Sequence, residues 1–436
     1  MTPEPRSSSS RRAFLRQGGA AAGLAAAPSL GALRAGPEAE LKIALVGCGG
    51  RGTGAAHQAL NTHVQGPVRL WAMADAFQDR LESSLKNLQQ NHGPRVEVPE
   101  ERRFTGFDAY QKAIDSGVDV VILATPPGFR PIHFEYAVRQ GKHVFMEKPV
   151  AVDAPGVRRV LAAAREAQAK NLKVGVGLQR HHQPVYQATL ERLRNGALGR
   201  INLLRCYWNS GGVWVRQRRP EQTEMEYQMR NWYYFNWLCG DHIVEQHIHN
   251  LDVGNWLLGE PPVRAQGQGG RQVRTGREFG EIYDHHMVEF TYADGTKMLS
   301  QCRHIQGCWN QVDEFAHGSA GSCHIGRGII RGHDGKVLWR YEGPGGDPYQ
   351  IEHDELFAAI RQDRPYNEAG YGALSTMTAI FGRMATYSGQ MLEWDRCLES
   401  EISLAPKEYS WDAPPPVLPD ENGFYPVAMP GQTKVL

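Results

Sequence analysis

The feature that most constrains this chain is a glycine-rich turn between a buried strand and a helix. Residues 41–46 are a short apolar run that predicts a buried parallel strand. The run leads directly into Gly47-Cys48-Gly49-Gly50-Arg51-Gly52, and an alanine-rich helix is predicted around residues 54–60. The glycines permit a sharp turn and a close backbone approach, and the helix N-terminus presents free N–H groups. This Gly-x-Gly-x-x-Gly pattern, set between strand and helix, predicts a site for the pyrophosphate of a dinucleotide.

A second predicted strand, residues 68–74, ends at an acidic residue. Asp75 follows Gly52 at about the 20-residue spacing expected for the carboxylate that binds the adenosine ribose. An acid there accepts hydrogen bonds from both ribose hydroxyls and repels a 2′-phosphate. The sequence therefore favours NAD over NADP as the cofactor, with Arg51 placed to stack on the adenine or to meet a phosphate.

The alternation of strands and helices continues along the chain. Further strands are predicted at 118–124, 143–146 and 172–176, with a helix at 131–140. This pattern predicts a Rossmann domain over residues 36–178, an α/β fold with a doubly wound parallel sheet. Ligands bind at the carboxyl ends of such strands. We therefore expect the cofactor to be bordered by residues that follow the strands, namely Thr125, Pro126, Pro127, Glu147, Lys148 and Gln179.

Three of these motifs carry a resemblance to a known family. The glycine turn, Ala124-Thr125-Pro126-Pro127 and Glu147-Lys148-Pro149 together resemble the Gfo/Idh/MocA oxidoreductases, which include glucose–fructose oxidoreductase and inositol dehydrogenase. The resemblance covers nearly the whole chain after residue 35. It implies that Lys148 lies near the nicotinamide and the reacting hydroxyl. A positioned ammonium there can lower the pKa of that hydroxyl and relay its proton.

Residues 179–436 are predicted to form the substrate side of the protein. From residue 200 the chain has the pattern of strands rich in aromatic residues, so we expect an α+β domain with a large open, mostly antiparallel sheet, C-terminal helices and a proline-rich surface tail. The aromatic residues are expected in the core more often than as a sugar platform. The candidate substrate contacts are Arg180, His182, Tyr283 and His286.

The densest polar segment, residues 241–252, is predicted to be part of one helix that continues to Leu258. Glu245 and His249 are four residues apart and would share one face, whereas His247 falls among apolar residues and is expected to be a hydrogen-bonded core histidine. Family members often carry Asp-x-x-x-His on this helix. The resemblance thus implies that His249 meets the substrate hydroxyl, and that Glu245 takes the place of the Asp and fixes the imidazole tautomer.

The same segment raises the alternative of a catalytic metal. Residue types that bind metals are present at His242, Glu245, His249, His285 and His286. Their spacing is not that of the His-Glu-x-x-His metalloproteases. The resemblance also weighs against a metal, so the prediction from sequence is that the site holds none.

The N-terminus has the pattern of a targeting signal. Arg11-Arg12 precedes Phe14-Leu15 and a Gly/Ala-rich stretch that ends near residue 35. This predicts a twin-arginine signal peptide over residues 1–35, recognition by the twin-arginine export machinery and a periplasmic or secreted location. The alternative is a disordered basic tail. Because this route exports folded proteins, it suits a cofactor that is loaded tightly before export.

Composition excludes some classes of partner. The net charge of +1 shows no basic excess of the kind that binds nucleic acid, and no apolar run is long enough for an integral membrane segment. The expected partners are a carbohydrate-sized substrate and further copies of the chain, bound through the C-terminal sheet into a homo-oligomer.

Three functions remain open from sequence. The leading one is an exported oxidoreductase that uses tightly bound NAD to oxidise or reduce a secondary hydroxyl of a sugar or glycoside. A second is a redox-neutral NAD-dependent glycosidase, working by oxidation, elimination, hydration and reduction. A third is a non-catalytic sugar- or nucleotide-binding protein, against which the presence of Glu147, Lys148 and His249 argues.

Overall fold

The computed structural model describes residues 38–436, so the predicted signal peptide of residues 1–35 lies outside the described residues. The described residues form one compact unit that contains two sheets. The strands of the first sheet, β1 to β6, are Leu41–Val46, Val68–Asp75, Arg103–Thr105, Val120–Leu123, His143–Met146 and Val174–Val176. The helices of this half, α1 to α5, are Gly50–Asn61, Gln78–His92, Ala109–Asp115, Arg130–Arg139 and Ala154–Ala169.

The first sheet is the predicted doubly wound parallel sheet. All its strand pairs are parallel, and their order is β3-β2-β1-β4-β5-β6. Strand β4, with the sequence VVIL, is buried at every residue, as expected for a strand covered by helices on both faces. The order reverses between β1 and β4, which opens a crevice at their carboxyl ends. The glycine turn after β1 lies at this crevice.

The second sheet is large and mostly antiparallel, as predicted. It has nine strands in the order β14-β13-β12-β11-β7-β10-β9-β8-β15, and its parallel pair is β7 with β10. Strands β7 to β15 are Ile201–Ser210, Arg264–Gly270, His285–Thr291, Lys297–His304, Gln311–Gly318, Gly321–His324, Ile329–Gly332, Val337–Arg340 and Leu392–Glu393. Helices α6 to α13 are Pro184–Arg194, Glu224–Arg230, Asn236–Cys239, His242–Glu245, Ile248–Leu258, Pro348–Arg361, Ala369–Ser388 and Trp394–Leu398.

Helix α12 joins the two halves. It is buried along most of its length and packs against β8 of the second sheet and α5 of the first half. Burial on several sides explains why its apolar residues are not confined to one stripe. The domain limits predicted from sequence, 36–178 and 179–436, place the boundary just after β6 and stay a prediction.

The C-terminal segment is more closely packed than the predicted surface tail. Within the predicted tail of residues 412–436, the buried Tyr425 lies with its ring centroid 4.9 Å from that of Phe235 and donates its hydroxyl to Glu224. These aromatic contacts anchor a proline-rich stretch that local sequence alone indicates to be solvated. Within residues 38–436, no helix is both long and apolar enough to cross a bilayer.

Candidate active site

The glycine turn folds as its sequence requires. Gly47 has φ +98°, a conformation that side chains rarely adopt, and a Cβ on Gly52 would lie 1.9 Å from the carbonyl oxygen of Gly47. A Cβ on Gly49 or Gly50 would meet no described atom within 4 Å, because both residues face an open cavity. Helix α1 begins at Gly50, so its unpaired N–H groups lie at the edge of that cavity.

Asp75 is held at the end of β2 by the turn itself. Its Oδ2 accepts a hydrogen bond from the Cys48 N–H at 2.6 Å, and its Oδ1 accepts one from the Phe77 N–H at 2.9 Å. Burial raises the pKa of this carboxyl above its ordinary value. The carboxylate borders the cavity, where it can accept hydrogen bonds from ribose hydroxyls.

The cavity has a volume of about 350 Å³, which is of the size of a cofactor pocket. Of the predicted cofactor contacts, those that line it are Gly47, Gly49, Gly50, Arg51, Gly52, Asp75, Thr125 and Pro126. Four others, Pro127, Glu147, Lys148 and Gln179, are not part of this lining. The residues present thus fit the pyrophosphate and adenosine ribose of a dinucleotide.

Sequence reasoning missed the opposite wall of this cavity. That wall comes from residues 213–232, which contain helix α7, and its cavity-lining members are Trp214, Arg216, Met229, Arg230 and Trp232. Arg230 forms an ion pair with Asp79 at 3.2 Å and lies over the Phe77 ring at 4.0 Å. The tryptophans gave a signal in the sequence, but their type alone indicated a core position.

Arg51 lines the cavity and is also held by side chains of the protein. Its Nε donates to the buried Glu147 Oε1 at 2.6 Å and its guanidinium lies 4.9 Å from the Tyr349 ring centroid. The expected contact with adenine or a phosphate stays a prediction. Glu147 in turn packs against Gly177, where a Cβ would lie 2.6 Å from Glu147 Oε2. Glu147 therefore fixes the end of β5 and the residue that follows it.

That following residue, Lys148, contacts Glu245 directly. Lys148 Nζ donates to the Glu245 backbone carbonyl at 2.7 Å and lies 3.2 Å from Glu245 Oε1. Both side chains are only 14% exposed, which limits screening by water. The lysine that the family resemblance singles out therefore forms an ion pair between the end of β5 and helix α9.

The predicted continuous helix over residues 241–258 is wrong. Helix α9 ends at Glu245 and α10 begins at Ile248, so the i, i+4 spacing does not place Glu245 against His249. The turn between them lets Glu245 face Lys148. His247 in this turn is fully buried and hydrogen-bonded to Asn250 Oδ1 and Ser300 Oγ, which confirms it as a core histidine.

His249 is the second residue of α10, and one nitrogen of its imidazole has no partner in the described part of the chain. Its ring stacks on Trp208 with centroids 5.9 Å apart, and its Nδ1 is buried without a hydrogen-bond partner among residues 38–436. Burial, together with the positive charges of Lys148 and Arg180, lowers the pKa of His249 well below its ordinary value. The imidazole is therefore neutral, and its unpartnered nitrogen can accept a hydrogen bond from a ligand hydroxyl.

The predicted substrate contacts are held in ion pairs or hydrogen bonds inside the protein. Arg180 pairs with the buried Glu314, and His182 lies between Glu355 at 2.7 Å and Glu368 at 3.2 Å. Gln179, beside them, has a buried amide oxygen without a partner in the described part of the chain. Their contact with a substrate stays a prediction.

Tyr283 and His286 lie together on the inner side of the second sheet. The Tyr283 hydroxyl donates to the Ala428 carbonyl at 2.9 Å, and His286 Nε2 lies 3.2 Å from Asp241 Oδ2. Of the five residues considered as metal ligands from sequence, only His242 and His286 come together, and Asp241 joins them. Glu245 instead meets Lys148, and His285 meets Asp284.

Two family profiles match the chain over most of its length. Residues 41–176 match a profile described as "Oxidoreductase family, NAD-binding Rossmann fold", and residues 186–323 match one described as "GFO/IDH/MocA C-terminal domain". The first profile spans the parallel sheet and the glycine turn. The second includes Glu245, His249 and much of the antiparallel sheet.

Curated relatives and solved structures agree with these profiles. The chain is 27% identical to an inositol 2-dehydrogenase of Rhizobium meliloti (strain 1021), over 58% of this chain and 67% of that one. It is 30% identical to an inositol 2-dehydrogenase of Ralstonia nicotianae, over 52% and 57% respectively, so it spans only about half to two thirds of these relatives.

Two solved structures share the fold. An aldose-aldose oxidoreductase from Caulobacter crescentus complexed with glycerol matches with a TM-score of 0.61 and 20% identity, over 81% of this chain and 99% of that one. A levoglucosan dehydrogenase in complex with NADH and levoglucosan matches with a TM-score of 0.63 and 16% identity, over the same shares.

Proposed function

This chain belongs to the Gfo/Idh/MocA family of NAD-dependent oxidoreductases, and from that premise we propose that it is an exported enzyme acting on a secondary hydroxyl of a sugar or glycoside with a tightly held NAD. The observation that carries the proposal is the pairing of Lys148 with Glu245 at the carboxyl end of β5. The nearby His249 imidazole has a buried Nδ1 without a hydrogen-bond partner among residues 38–436.

Two residues of the chain, Lys148 and His249, are proposed to act on the hydroxyl of the substrate and its proton. When bound, the nicotinamide of NAD supplies the hydride acceptor. The Lys148 ammonium, oriented by Glu245, donates a hydrogen bond to the hydroxyl oxygen of the substrate and stabilises negative charge there. Burial and the charge of Lys148 keep His249 neutral, and we assign it as the group that takes up the hydroxyl proton as the carbonyl forms.

Tight retention of the cofactor rests on the wall formed by residues 213–232. This segment from the second half of the chain covers the cavity above the glycine turn. The Arg230–Asp79 ion pair and the contact of Arg230 with Phe77 tie it to the first half. Release of NAD requires these contacts to open, which slows dissociation.

The substrate class is inferred from the relatives and from the site. The curated relatives are named inositol 2-dehydrogenases, and one solved structure contains levoglucosan. In this chain Trp208 stacks on His249, so an aromatic face lies beside the proposed base. Polyhydroxylated rings suit such a site, because their C–H faces pack on aromatic rings while their hydroxyls meet charged groups.

Export is proposed from Arg11-Arg12 and the Gly/Ala-rich stretch after them. Substituting both arginines by lysine in the native host should leave the protein in the cytoplasm with its N-terminus uncleaved. The wild-type chain should be recovered from the periplasm or medium in shortened form. Equal distribution of both chains would reject the twin-arginine route.

A homo-oligomer through the second sheet is also proposed. On the face of this sheet turned away from its helices, strand register gives two mixed rows, Met287-Gln301-Tyr207-Asp313 and Glu289-Leu299-Arg205-Phe315. Met287 is 46% exposed, so a second copy would bury apolar surface. Light scattering should show an oligomer that Leu299→Glu dissociates, whereas a monomeric wild type would contradict the assignment.

The function is tested on the purified full chain. Denaturation should release NAD(H) in near-stoichiometric amount, and a panel of polyols, sugars and aryl glycosides should include a compound that changes the reduced-nicotinamide absorbance and yields a ketone by mass spectrometry. Release of an aglycone without net redox change would instead indicate the glycosidase alternative. Binding without any chemistry would indicate a non-catalytic protein.

A further inference from the structure

A cluster of metal-binding side chains lies one helical turn from the active-site pair. Asp241, His242 and His286 are all buried, and each contributes a donor atom that lies within 4.8 Å of the other two. Asp241 and His242 open helix α9, and His286 lies on strand β9. We propose that this cluster binds a divalent transition-metal ion of the zinc class.

The donor atoms lie close enough together to share an ion, with each imidazole nitrogen beside a different oxygen of Asp241. Asp241 Oδ1 lies 2.8 Å from His242 Nδ1, and Asp241 Oδ2 lies 3.2 Å from His286 Nε2. Ligand bonds of about 2.0–2.1 Å in tetrahedral geometry place neighbouring donor atoms about 3.3 Å apart. The same pairs do not meet hydrogen-bond geometry: His242 Nδ1 and His286 Nε2 are buried and unpartnered within residues 38–436. Two orphaned imidazole nitrogens beside one carboxylate are unusual in a protein interior.

The surrounding contacts orient the donors as a metal site requires. His286 Nδ1 lies 2.9 Å from Thr386 Oγ1, and donation of its N–H to that hydroxyl leaves Nε2 as a free lone pair facing Asp241. Asp241 Oδ2 accepts hydrogen bonds from the Tyr387 hydroxyl at 2.6 Å and from the Tyr283 N–H at 3.0 Å. Metal ligands are typically held by such outer hydrogen bonds, which fix the tautomer and the direction of each lone pair.

The backbone also holds the carboxylate in place. Asp241 has φ +74°, a left-handed conformation that residues other than glycine rarely adopt. This conformation starts α9 sharply and turns the Asp241 side chain inward toward His286. Strained backbone of this kind is concentrated at functional sites.

The donor set indicates the class of ion. Two imidazoles and one carboxylate suit zinc and related divalent transition metals better than magnesium or calcium, which prefer oxygen ligands. The three residues are 0 to 3% exposed, so a substrate does not reach the ion directly. An ion here would fix the start of α9, whose last residue is Glu245, and so hold the partner of Lys148 in position.

The test measures metal in the full-length chain, purified without a polyhistidine tag, by plasma mass spectrometry. The wild type should carry close to one equivalent of zinc or a related metal per chain. Asp241→Asn and His286→Asn should each lower the metal content at least tenfold. His285→Asn is the matched control, because the partly exposed His285 pairs with Asp284 and lies outside the cluster, so this variant should keep the metal.

A second measurement decides the matter if the ligand variants fail to fold. The wild type is stripped with dipicolinate and titrated with Zn²⁺, with unfolding temperature and bound metal as readouts. Saturation at one equivalent with a raised unfolding temperature is expected. Less than a tenth of an equivalent, both as purified and after Zn²⁺, Mn²⁺ or Fe²⁺ addition, would overturn the proposal and leave a metal-free histidine–aspartate cluster. Neither readout depends on the proposed reaction.

Discussion

Lys148 Nζ contacts Glu245 twice, through the backbone carbonyl at 2.7 Å and through the carboxylate at 3.2 Å. The carbonyl contact is made by the backbone and depends on the fold, whereas the carboxylate contact depends on the Glu245 side chain. The carbonyl is available because α9 ends at Glu245 and does not continue into α10. The break in the helix is thus what brings the second half of the chain to the lysine at the end of β5.

Replacement of Lys148 tests its role in the proposed reaction. Lys148→Ala should fold and retain NAD, because the lysine sits at a strand end and does not line the main cavity. Its turnover should fall on the order of 10²–10⁴-fold, as for a lost acid–base group. The control is Lys142→Ala, which removes a lysine that only bonds the Val118 carbonyl. Normal reduction of bound cofactor by substrate in Lys148→Ala would disprove the assignment.

Glu245 and His249 should respond differently to substitution. Glu245→Gln keeps the backbone carbonyl contact with Lys148 and loses only the charge, so turnover should fall by about tenfold. His249→Ala removes the proposed base and should abolish turnover, whereas His249→Asn should retain substrate binding. The readouts are kcat and KM for each variant. An equal effect of Glu245→Gln and His249→Ala on kcat would contradict this division of roles.

Asp75 should control the choice of cofactor. Both its carboxylate oxygens accept backbone N–H groups, so serine is a better replacement than asparagine, whose own N–H would face one of those donors. Asp75→Ser should weaken NAD binding by about 1–3 kcal/mol and improve binding of NADP, since the charge that repels a 2′-phosphate is gone. Calorimetry with both cofactors checks this, with the exposed Asp115→Ser as control. An unchanged preference would show that Asp75 does not contact the ribose.

His182 should make stability depend on pH in the alkaline range. Burial disfavours its charge, but Glu355 and Glu368 raise its pKa from 6.5 to about 10. A histidine whose pKa is raised by folding adds to the free energy of unfolding. That contribution is fully present below pH 6.5 and is lost as the pH rises toward 10. The free energy of unfolding, measured with urea, should therefore decline less from pH 7 to pH 9 in His182→Gln than in the wild type. The exposed His333→Gln should follow the wild type, and parallel curves for all three proteins would reject the imidazolium pair.

The parts of the fold that sequence predicted correctly depend on local patterns. Strands β1 and β5 have the predicted limits, because a short apolar run bounded by glycine or charge leaves little choice of ends. The glycine turn and Asp75 were likewise found from spacing within one βαβ unit. In the second half, the core position of His247 followed from its apolar neighbours.

What sequence did not predict depends on contacts between distant segments. The helix periodicity of residues 241–258 is real, but the turn at residues 246–247 interrupts the helix in favour of tertiary contacts. The ion pair between Arg51 and Glu147 joins residues 96 positions apart, a separation that no local pattern indicates. The wall formed by Trp214 and Trp232 closes on the cavity only because the two halves pack together.

The most direct test of the account is single-turnover reduction of the NAD that the purified chain carries. With a reactive polyol or sugar in the absence of added cofactor, the wild type should develop the reduced-nicotinamide absorbance and form one ketone per chain. Lys148→Ala and His249→Ala, loaded with NAD to the same extent, should remain unchanged. If the wild type shows no cofactor reduction with any polyol, sugar or glycoside, or if both variants reduce NAD at the wild-type rate, the account is contradicted.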